Sequence, residues 1–191
     1  MIFNIPNNLT LLRIALIPCL ILVFYISDTT LSPYDKNLIA TFIFLFAAIT
    51  DWLDGYLARK LNQTSDFGAF IDPVADKLIV IAALILLVEL GRVESIIAFI
   101  IIAREFTISS LREWMATLGK SGGIAVAFIG KLKTTMQMIA ILFLLYYENI
   151  LFVPVAAVGK ILIYIAALLT MISMIYYLKI AFKILKKNKD Y

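Results

Sequence analysis

The stretch ILIYIAALLTMISMIYYL, residues 161–178, decides the class of fold because no charged side chain interrupts it. About 20 consecutive apolar residues form a helix that crosses the hydrocarbon core of a bilayer. The whole chain shares this character: 63% of its 191 residues are hydrophobic and 16% are charged, against about 45–50% and about 25% in soluble domains. A chain this short cannot bury so much apolar side chain in water. The sequence therefore excludes a soluble or disordered protein and predicts an all-α integral membrane protein.

Six apolar stretches divide the chain, and each predicts one transmembrane helix. They cover residues 9–27, 37–60, 73–90, 94–117, 131–148 and 152–182. Short polar links separate them, so we expect one domain over residues 1–191 that is a bundle of six transmembrane helices. Within it, residues 1–8 are expected to be an interfacial lead-in and residues 183–191 a basic cytoplasmic tail.

Basic residues are distributed unequally between the two sides of the predicted bundle. Of the 17 Lys and Arg residues, all but Lys36, Arg92 and Lys160 fall on the side that holds both termini. Because Lys and Arg are enriched on the cytoplasmic side of membrane proteins, we expect both termini in the cytoplasm and the protein in the cell membrane. The net charge of +4 then reflects orientation, not nucleic-acid binding.

Charged side chains enter predicted helices two to five in their cytoplasmic halves. A charge near the centre of a bilayer costs at least about 2.5–3.5 kcal/mol, so such side chains normally face a bundle interior or a wet cavity. The pattern predicts one polar cavity in the cytoplasmic half, open to water, beneath an apolar outer half. We expect the functional site, open to the cytoplasm, in this cavity.

Four aspartates flank the link between the second and third predicted helices: Asp51, Asp54, Asp72 and Asp76. With 3.6 residues per turn, the first two share one helix face and the last two share a face of the next helix. Pro73 suits a first helical turn, which makes Asp72 the expected N-cap of the third helix. Consecutive helices pack side by side, so the four carboxylates are expected to converge.

Converging carboxylates repel one another unless they are protonated, paired with cations or bound to metal. Arg59 and Lys77 are the nearby cations of these two helices, so negative charge remains in excess. With no histidine and the single cysteine Cys19, carboxylate oxygens are the expected metal ligands, and they suit Mg²⁺ or Mn²⁺. The alternative is structural: Asp51 caps a helix and the other aspartates pair with these two cations.

The aspartates belong to a longer pattern: Asp51-x-x-Asp54-Gly55-x-x-Ala58-Arg59 followed by Gly68-x-x-x-Asp72-x-x-x-Asp76. This pattern resembles the signature of the CDP-alcohol phosphotransferases at every position. The family attacks a CDP-activated lipid with an alcohol and releases CMP. The resemblance implies two divalent ions held by the four aspartates, with Asp76 as base for the acceptor hydroxyl. It also implies a homodimer and contacts to the CDP moiety from Gly55, Ala58, Arg59 and Gly68.

Basic residues of predicted helices four and five are expected to bind a phosphate of the acceptor: Arg104, Arg112, Lys131 and Lys133. Arg forks and Lys point charges are both suited to phosphate. The alternative is that the arginines pair with Glu105 and Glu113 and the lysines mark helix ends. A phosphate-bearing acceptor favours glycerol 3-phosphate or inositol phosphate over serine or free inositol.

Residues 4–13, 103–105 and 130–134 resemble the bacterial phosphatidylglycerophosphate synthases, the branch of the family that uses glycerol 3-phosphate as acceptor. In the first of these stretches, Asn7, Thr10 and Arg13 are expected to help hold CDP-diacylglycerol. The alternative for Asn7 and Thr10 is that they cap the first helix. We therefore expect CDP-diacylglycerol and glycerol 3-phosphate as substrates.

Other functions remain open at this point. An enzyme of the same family could use inositol phosphate, serine or phosphatidylglycerol as acceptor. A divalent-cation transporter could use the aspartates as a transit site, although it would need polar groups in both halves of the membrane. A catalytically inactive subunit is disfavoured because every signature aspartate is present. The sequence assigns no role to Gln137 or Glu148.

Overall fold

Six α-helices make up most of the chain in this computed structural model, which describes residues 4–60, 65–117 and 127–187. They are α1 (Ile5–Tyr25), α2 (Pro33–Lys60), α3 (Asp66–Glu89), α4 (Ser95–Thr117), α5 (Ala127–Tyr146) and α6 (Val155–Lys187). Within those ranges no β-strand occurs, and the only pairing of β type is an isolated bridge between Ile150 and Val153. The predicted all-α class is confirmed.

The third helix begins earlier than the predicted start at residue 73. Ser65 is its N-cap, and the Ser65 hydroxyl accepts a hydrogen bond from the Gly68 N–H at 3.0 Å. Asp72 and Pro73 therefore lie inside α3, and the prediction that Asp72 caps the helix is wrong. A proline within a helix removes one backbone hydrogen bond, which α3 tolerates without ending.

The first helix begins at Ile5, so residues 5–8 form its first turn; residues 1–3 lie outside the described ranges. An interfacial position of residues 1–8 remains a prediction. Asn4 is the N-cap, since its side chain accepts a hydrogen bond from the Asn7 N–H at 2.8 Å. Asn7 and Thr10 are helical residues, so the alternative that they cap this helix is wrong.

Contacts at the two ends of α1 show that it runs in the same direction as α3. At its start, Asn7 Nδ2 donates to the hydroxyl of Ser65, immediately before α3, at 3.0 Å. At its end, the Tyr25 hydroxyl donates to Glu89 Oε1, at the end of α3, at 3.2 Å. We call the first of these the Asn7 end of the bundle.

At the opposite end of the bundle, Arg92, in the link between α3 and α4, connects α2 and α5. Its guanidinium donates to the carbonyl oxygens of Leu144 and Leu145 at 2.9 Å each and to Asn37 Oδ1 at 2.7 Å. The start of α2 and the end of α5 therefore meet here, and we call this the Arg92 end. α5 runs in the same direction as α1 and α3.

The three basic residues set apart in the sequence lie toward this Arg92 end. Lys36 is in the first turn of α2, Arg92 follows α3, and Lys160 is in the second turn of α6. The remaining Lys and Arg residues of the described ranges lie in the other half of their helices, except Arg104, which lies near the middle of α4. The charge asymmetry expected from the sequence is thus an asymmetry between the two ends of the bundle.

Apolar packing is concentrated toward the Arg92 end. All six helices contribute to this core, whose fully buried members include Leu20, Phe44, Leu84, Leu87, Ile101, Ile141, Leu144 and Ile163. Buried polar side chains nearer the Asn7 end are Asn7, Thr10, Arg13, Thr50, Asp54 and Lys133, and the buried Arg104 and Gln137 lie near the middle of their helices. The fold therefore stabilises one half by apolar contacts and leaves the other half for polar groups.

Three segments are long and apolar enough to cross a bilayer: Pro6–Tyr25, Pro33–Asp54 and Val155–Lys179. The apolar segment of α5, Lys133–Tyr146, is shorter, and charged side chains interrupt α3 and α4. Large apolar side chains such as Leu22 and Phe42 are exposed on the outside of the bundle, as expected of a surface in contact with lipid. The count of six spans remains a prediction.

Candidate functional site

The predicted aspartates lie around two side chains of α1, Arg13 and Thr10. Arg13 Nη2 lies 2.5 Å from Asp54 Oδ2. Arg13 Nη1 lies 3.4 Å from Asp51 Oδ1 and also donates to Asp76 Oδ1. One buried guanidinium, 1% exposed, thereby contacts carboxylates from both α2 and α3.

Asp72 joins this cluster through Thr10. Thr10 Oγ1 lies 2.5 Å from Asp72 Oδ1 and 3.3 Å from Asp54 Oδ2, and 3.2 Å from the Pro6 carbonyl oxygen. A hydroxyl donates one hydrogen bond at a time. Because the contact with Asp72 is the shortest of the three, we assign the Thr10 hydrogen bond to Asp72. All four carboxylates come together, as the sequence predicts.

Residue spacing explains why these side chains meet. Thr10 and Arg13 are three residues apart on α1, Asp51 and Asp54 are three apart on α2, and the α3 pair is four apart. Residues three or four apart lie on one face of a helix. Because α1 packs against both α2 and α3, the three polar faces point at one another.

The carboxylates of the cluster differ in their access to solvent. The side chain of Asp54 is 4% exposed, whereas those of Asp51 and Asp76 are 52% and 43% exposed. Asp54 therefore lies at the base of the cluster, and Asp51 and Asp76 lie at its open side. A reacting group can approach Asp76 more readily than Asp54.

The sequence did not indicate Arg13 as the cation of this cluster; Arg59 and Lys77 were the cations considered. Among the residues that the structure describes, no three side chains of the metal-binding types form a metal site. The Arg13 guanidinium contacts Asp51, Asp54 and Asp76. The arrangement differs in this respect from the expected ion site.

The donor set nevertheless fits a hard divalent cation. Its donors are carboxylate oxygens, with the Thr10 hydroxyl beside them, and one guanidinium leaves four carboxylates with negative charge in excess. Mg²⁺ and Mn²⁺ prefer oxygen ligands of this kind. That Asp51, Asp54, Asp72 and Asp76 ligate metal remains a prediction.

A cavity of about 230 Å³ adjoins the carboxylate cluster. Its charged and polar lining residues are Arg13, Asp51, Asp76, Lys77, Glu105, Lys133, Thr134 and Gln137. Apolar side chains such as Phe44 and Ile101 line the rest. The carboxylates of α2 and α3 and a second charged group from α4 and α5 thus share the walls of one cavity.

The second charged group is centred on Glu105. Glu105 Oε2 accepts hydrogen bonds from Arg104 Nη1 at 2.8 Å and from Lys133 Nζ at 3.2 Å. Arg104 Nη2 also donates to the Ser173 hydroxyl at 3.2 Å, and Arg104 Nε is buried without a partner. The alternative pairing of Arg104 with Glu105 is present, but two cations around one carboxylate leave a net positive charge.

The other two basic residues of the predicted acceptor site do not join this group. Arg112 Nη2 donates to the Tyr177 hydroxyl at 2.8 Å, and its guanidinium lies 5.2 Å over the Tyr177 ring. Neither Arg104 nor Arg112 is among the cavity-lining residues of the described chain, but Arg104 contacts the cavity-lining Glu105. Lys131 belongs to α5, but its side chain lies outside the part that the structure describes. Phosphate binding by either residue remains a prediction.

Of the residues expected to contact the CDP moiety, Gly68 packs against α1. A Cβ atom on Gly68 would lie 2.6 Å from Asn7 Oδ1 and 3.1 Å from the Ser65 hydroxyl oxygen. A helix contact therefore accounts for the absence of a side chain here, and a nucleotide contact remains a prediction. Gly55, Ala58 and Arg59 lie in α2, but their side chains lie outside the described part.

We expect Gly68→Ala to destabilise the protein by about 1–3 kcal/mol, because the added methyl group displaces Asn7 from Ser65. The measurement is the free energy of unfolding in detergent micelles. The control is the same change in an Asn7→Ala background, where only the contact with the Ser65 hydroxyl oxygen at 3.1 Å remains close, so the cost should be smaller. An equal cost in both backgrounds would contradict the proposed clash.

Known proteins resemble this chain over nearly its full length. A protein-family model described as CDP-alcohol phosphatidyltransferase matches residues 3–184. Three relatives carry the name CDP-diacylglycerol--glycerol-3-phosphate 3-phosphatidyltransferase. The protein from Haemophilus influenzae is 53% identical over 182 residues, 94% of each chain. Those from Escherichia coli and Wigglesworthia glossinidia brevipalpis are 50% and 46% identical, over 94% and 97% of this chain and 95% and 98% of their own.

Proposed function

Because the chain belongs to the CDP-alcohol phosphatidyltransferase family, we propose that it transfers the phosphatidyl group of CDP-diacylglycerol to glycerol 3-phosphate. The products are phosphatidylglycerophosphate and CMP. The relatives named for this reaction support the choice of both substrates. The observation that carries the proposal is that the four signature aspartates meet beside a cavity. Glu105, which is paired with Arg104, and Lys133 line the other wall of this cavity.

The enzyme is proposed to span the cell membrane six times, with the Asn7 end of the bundle on the cytoplasmic side. Lys36, Arg92 and Lys160 lie toward the opposite end, which supports this orientation. Both termini and the cavity then face the cytoplasm, where glycerol 3-phosphate and the nucleotide are soluble. The diacylglycerol chains of the substrate stay among the membrane lipids, and a homodimer is expected from the family resemblance.

The family generally uses divalent metal ions. We propose that this protein binds two ions, either Mg²⁺ or Mn²⁺, through Asp51, Asp54, Asp72 and Asp76. When bound, such ions offset the charge of the diphosphate and of the departing CMP. Thr10 supports this set by its hydrogen bond to Asp72, and its hydroxyl oxygen lies 3.3 Å from Asp54 Oδ2. Arg13 is proposed to contribute positive charge to the diphosphate, which agrees with its place in the cavity wall and its unpaired Nε.

The reaction forms one bond and breaks one bond at the phosphorus that carries the lipid. The acceptor hydroxyl oxygen attacks this phosphorus, and the bond to the bridging oxygen of the diphosphate breaks, so CMP leaves with that oxygen. Asp76 accepts the hydroxyl proton. Its carboxylate lines the cavity and is partly exposed, so a hydroxyl can come within the about 3 Å that proton transfer requires.

The remaining site residues are proposed to bind the two substrates. The CDP-lipid group comprises Gly55, Ala58, Arg59, Gly68, Asn7, Thr10 and Arg13. The acceptor phosphate is bound chiefly by Arg104 and Lys133, which Glu105 holds in place in its absence. Arg112 and Lys131 extend this group only if their side chains turn toward the cavity.

Arg104→Ala is expected to raise the KM for glycerol 3-phosphate by about 10- to 100-fold, because a hydrogen bond to a charged group contributes about 1.5–3 kcal/mol. The KM for CDP-diacylglycerol should change by less than about twofold. Lys160→Ala, at the other end of the bundle, is the matched control for removing a basic side chain. Equal increases in both KM values would argue against a contact with the acceptor phosphate.

The experiment that tests the function follows CMP release by the purified protein in mixed micelles. CDP-diacylglycerol and Mg²⁺ are supplied with glycerol 3-phosphate, inositol phosphate, serine or phosphatidylglycerol in turn. Glycerol 3-phosphate alone should support rapid release. Release with another acceptor and none with glycerol 3-phosphate would overturn the acceptor assignment.

Cation transport, the other function considered, has less support from the packing. The half of the bundle toward the Arg92 end is packed mainly with apolar side chains of all six helices, which disfavours a polar route for an ion from the carboxylate cluster to that end. The protein in sealed vesicles should therefore show no Mn²⁺ uptake. Uptake without CMP release would contradict the enzymatic proposal.

A further inference from the structure

Gln137 is a buried polar residue to which neither the sequence nor the proposed reaction assigns a role. It lies in α5, is 6% exposed and lines the cavity. Its side-chain oxygen Oε1 is buried and has no hydrogen-bond partner. Buried polar side-chain atoms are nearly always hydrogen-bonded, so this oxygen lacks a donor that a ligand in the cavity can supply.

The other unpaired buried groups of the site have the opposite character. Arg13 Nε and Arg104 Nε are donors without acceptors, and a phosphate oxygen would satisfy either of them. An amide oxygen accepts hydrogen bonds and does not donate them. Gln137 Oε1 therefore matches a hydroxyl group and not a fully ionised phosphate.

The position of Gln137 relates it to both ends of a small phosphate-bearing acceptor. Lys133 is four residues earlier on α5, so the two side chains share a helix face about 6 Å apart along the axis. Asp76 of α3 lines the same cavity as Lys133 and Gln137. A small molecule with its phosphate at Lys133 can therefore present its hydroxyl groups to Asp76 and Gln137 within one cavity.

We propose that Gln137 Oε1 accepts a hydrogen bond from the C2 hydroxyl of glycerol 3-phosphate, the hydroxyl that does not react. Gln137 is then a specificity and positioning residue for the acceptor. It orients the three-carbon chain so that the C1 hydroxyl faces Asp76, while Lys133 and Arg104 hold the phosphate. This inference rests on the proposed function and adds to it the group that binds the C2 hydroxyl of the acceptor.

The test compares glycerol 3-phosphate with 3-hydroxypropyl phosphate, which keeps the phosphate and the terminal hydroxyl but lacks the C2 hydroxyl. The Gln137→Met variant removes the amide oxygen and keeps a side chain of similar length. For glycerol 3-phosphate, kcat/KM of this variant should fall by about 10- to 100-fold. For 3-hydroxypropyl phosphate it should change by less than about threefold, so discrimination between the acceptors is lost.

Met138→Leu is the matched control, because Met138 is the next cavity-lining residue on α5 and has no polar group. It should change kcat/KM for both acceptors to the same extent. If Gln137→Met lowers both acceptors equally, or leaves glycerol 3-phosphate unaffected, the inference is wrong and the proposed function stands. If the unaltered protein releases no CMP with glycerol 3-phosphate, the proposed function itself fails.

Discussion

Asp76→Asn is expected to lower kcat by about 10³-fold or more while the protein still binds CDP-diacylglycerol. A positioned general base contributes about 10²- to 10⁴-fold to a rate, and an amide cannot take the proton of the acceptor hydroxyl. The carboxylate of Asp76 lies at the open side of the cluster and lines the cavity. The measurements are CMP release under saturating substrates and binding of CDP-diacylglycerol in micelles.

Asp66→Asn is the control for this prediction. Asp66 is an exposed carboxylate in the first turn of the same helix, and its removal should leave kcat within about twofold. Full turnover by Asp76→Asn would remove Asp76 as the base. Equal losses in the two variants would point to a general effect on α3.

Arg13→Ala is expected to destabilise the protein by about 3–5 kcal/mol, the usual cost of removing one partner from a buried ion pair. The guanidinium contacts Asp51, Asp54 and Asp76, and its loss removes this cation from Asp54, the buried carboxylate of the three. Added Mg²⁺ should reduce this loss of stability, because an ion among the carboxylates replaces the missing positive charge. The measurement is the free energy of unfolding in micelles with and without Mg²⁺.

Two further variants sharpen this second prediction. Arg13→Lys should be intermediate, because one ammonium group cannot reach opposite carboxylates as the two guanidinium nitrogens do. Lys179→Ala removes an exposed basic side chain and should have little effect. If Arg13→Ala is no less stable than Lys179→Ala, the cluster does not depend on Arg13.

The all-helical class could be predicted because an apolar segment long enough to cross a bilayer satisfies its backbone hydrogen bonds there as an α-helix. The start of α3 could not, since Pro73 was given more weight than the cap at Ser65, whose side chain closes the first turn at Gly68. Pro73 is compatible with both a first turn and a helix interior, and tertiary packing decides between them.

The convergence of the aspartates was predictable from spacing within α2 and α3, but the partner from α1 was not. Spacing within a helix says nothing about which other helix packs against it. A signal was nevertheless present: Asn7, Thr10 and Arg13 place polar groups every third residue along an otherwise apolar helix. Gln137, a polar residue four positions after Lys133 in an apolar stretch, carried a similar signal.

Binding of Mn²⁺ to the purified protein, followed by the paramagnetic resonance of the free ion, tests the central claim most directly. The unaltered protein should deplete free Mn²⁺, Mg²⁺ should compete, and both Asp54→Asn and Asp72→Asn should abolish the depletion. The same Mn²⁺ concentrations should support CMP release. An unaltered protein that binds no more Mn²⁺ than these two variants, at concentrations at which it releases CMP, would contradict the account.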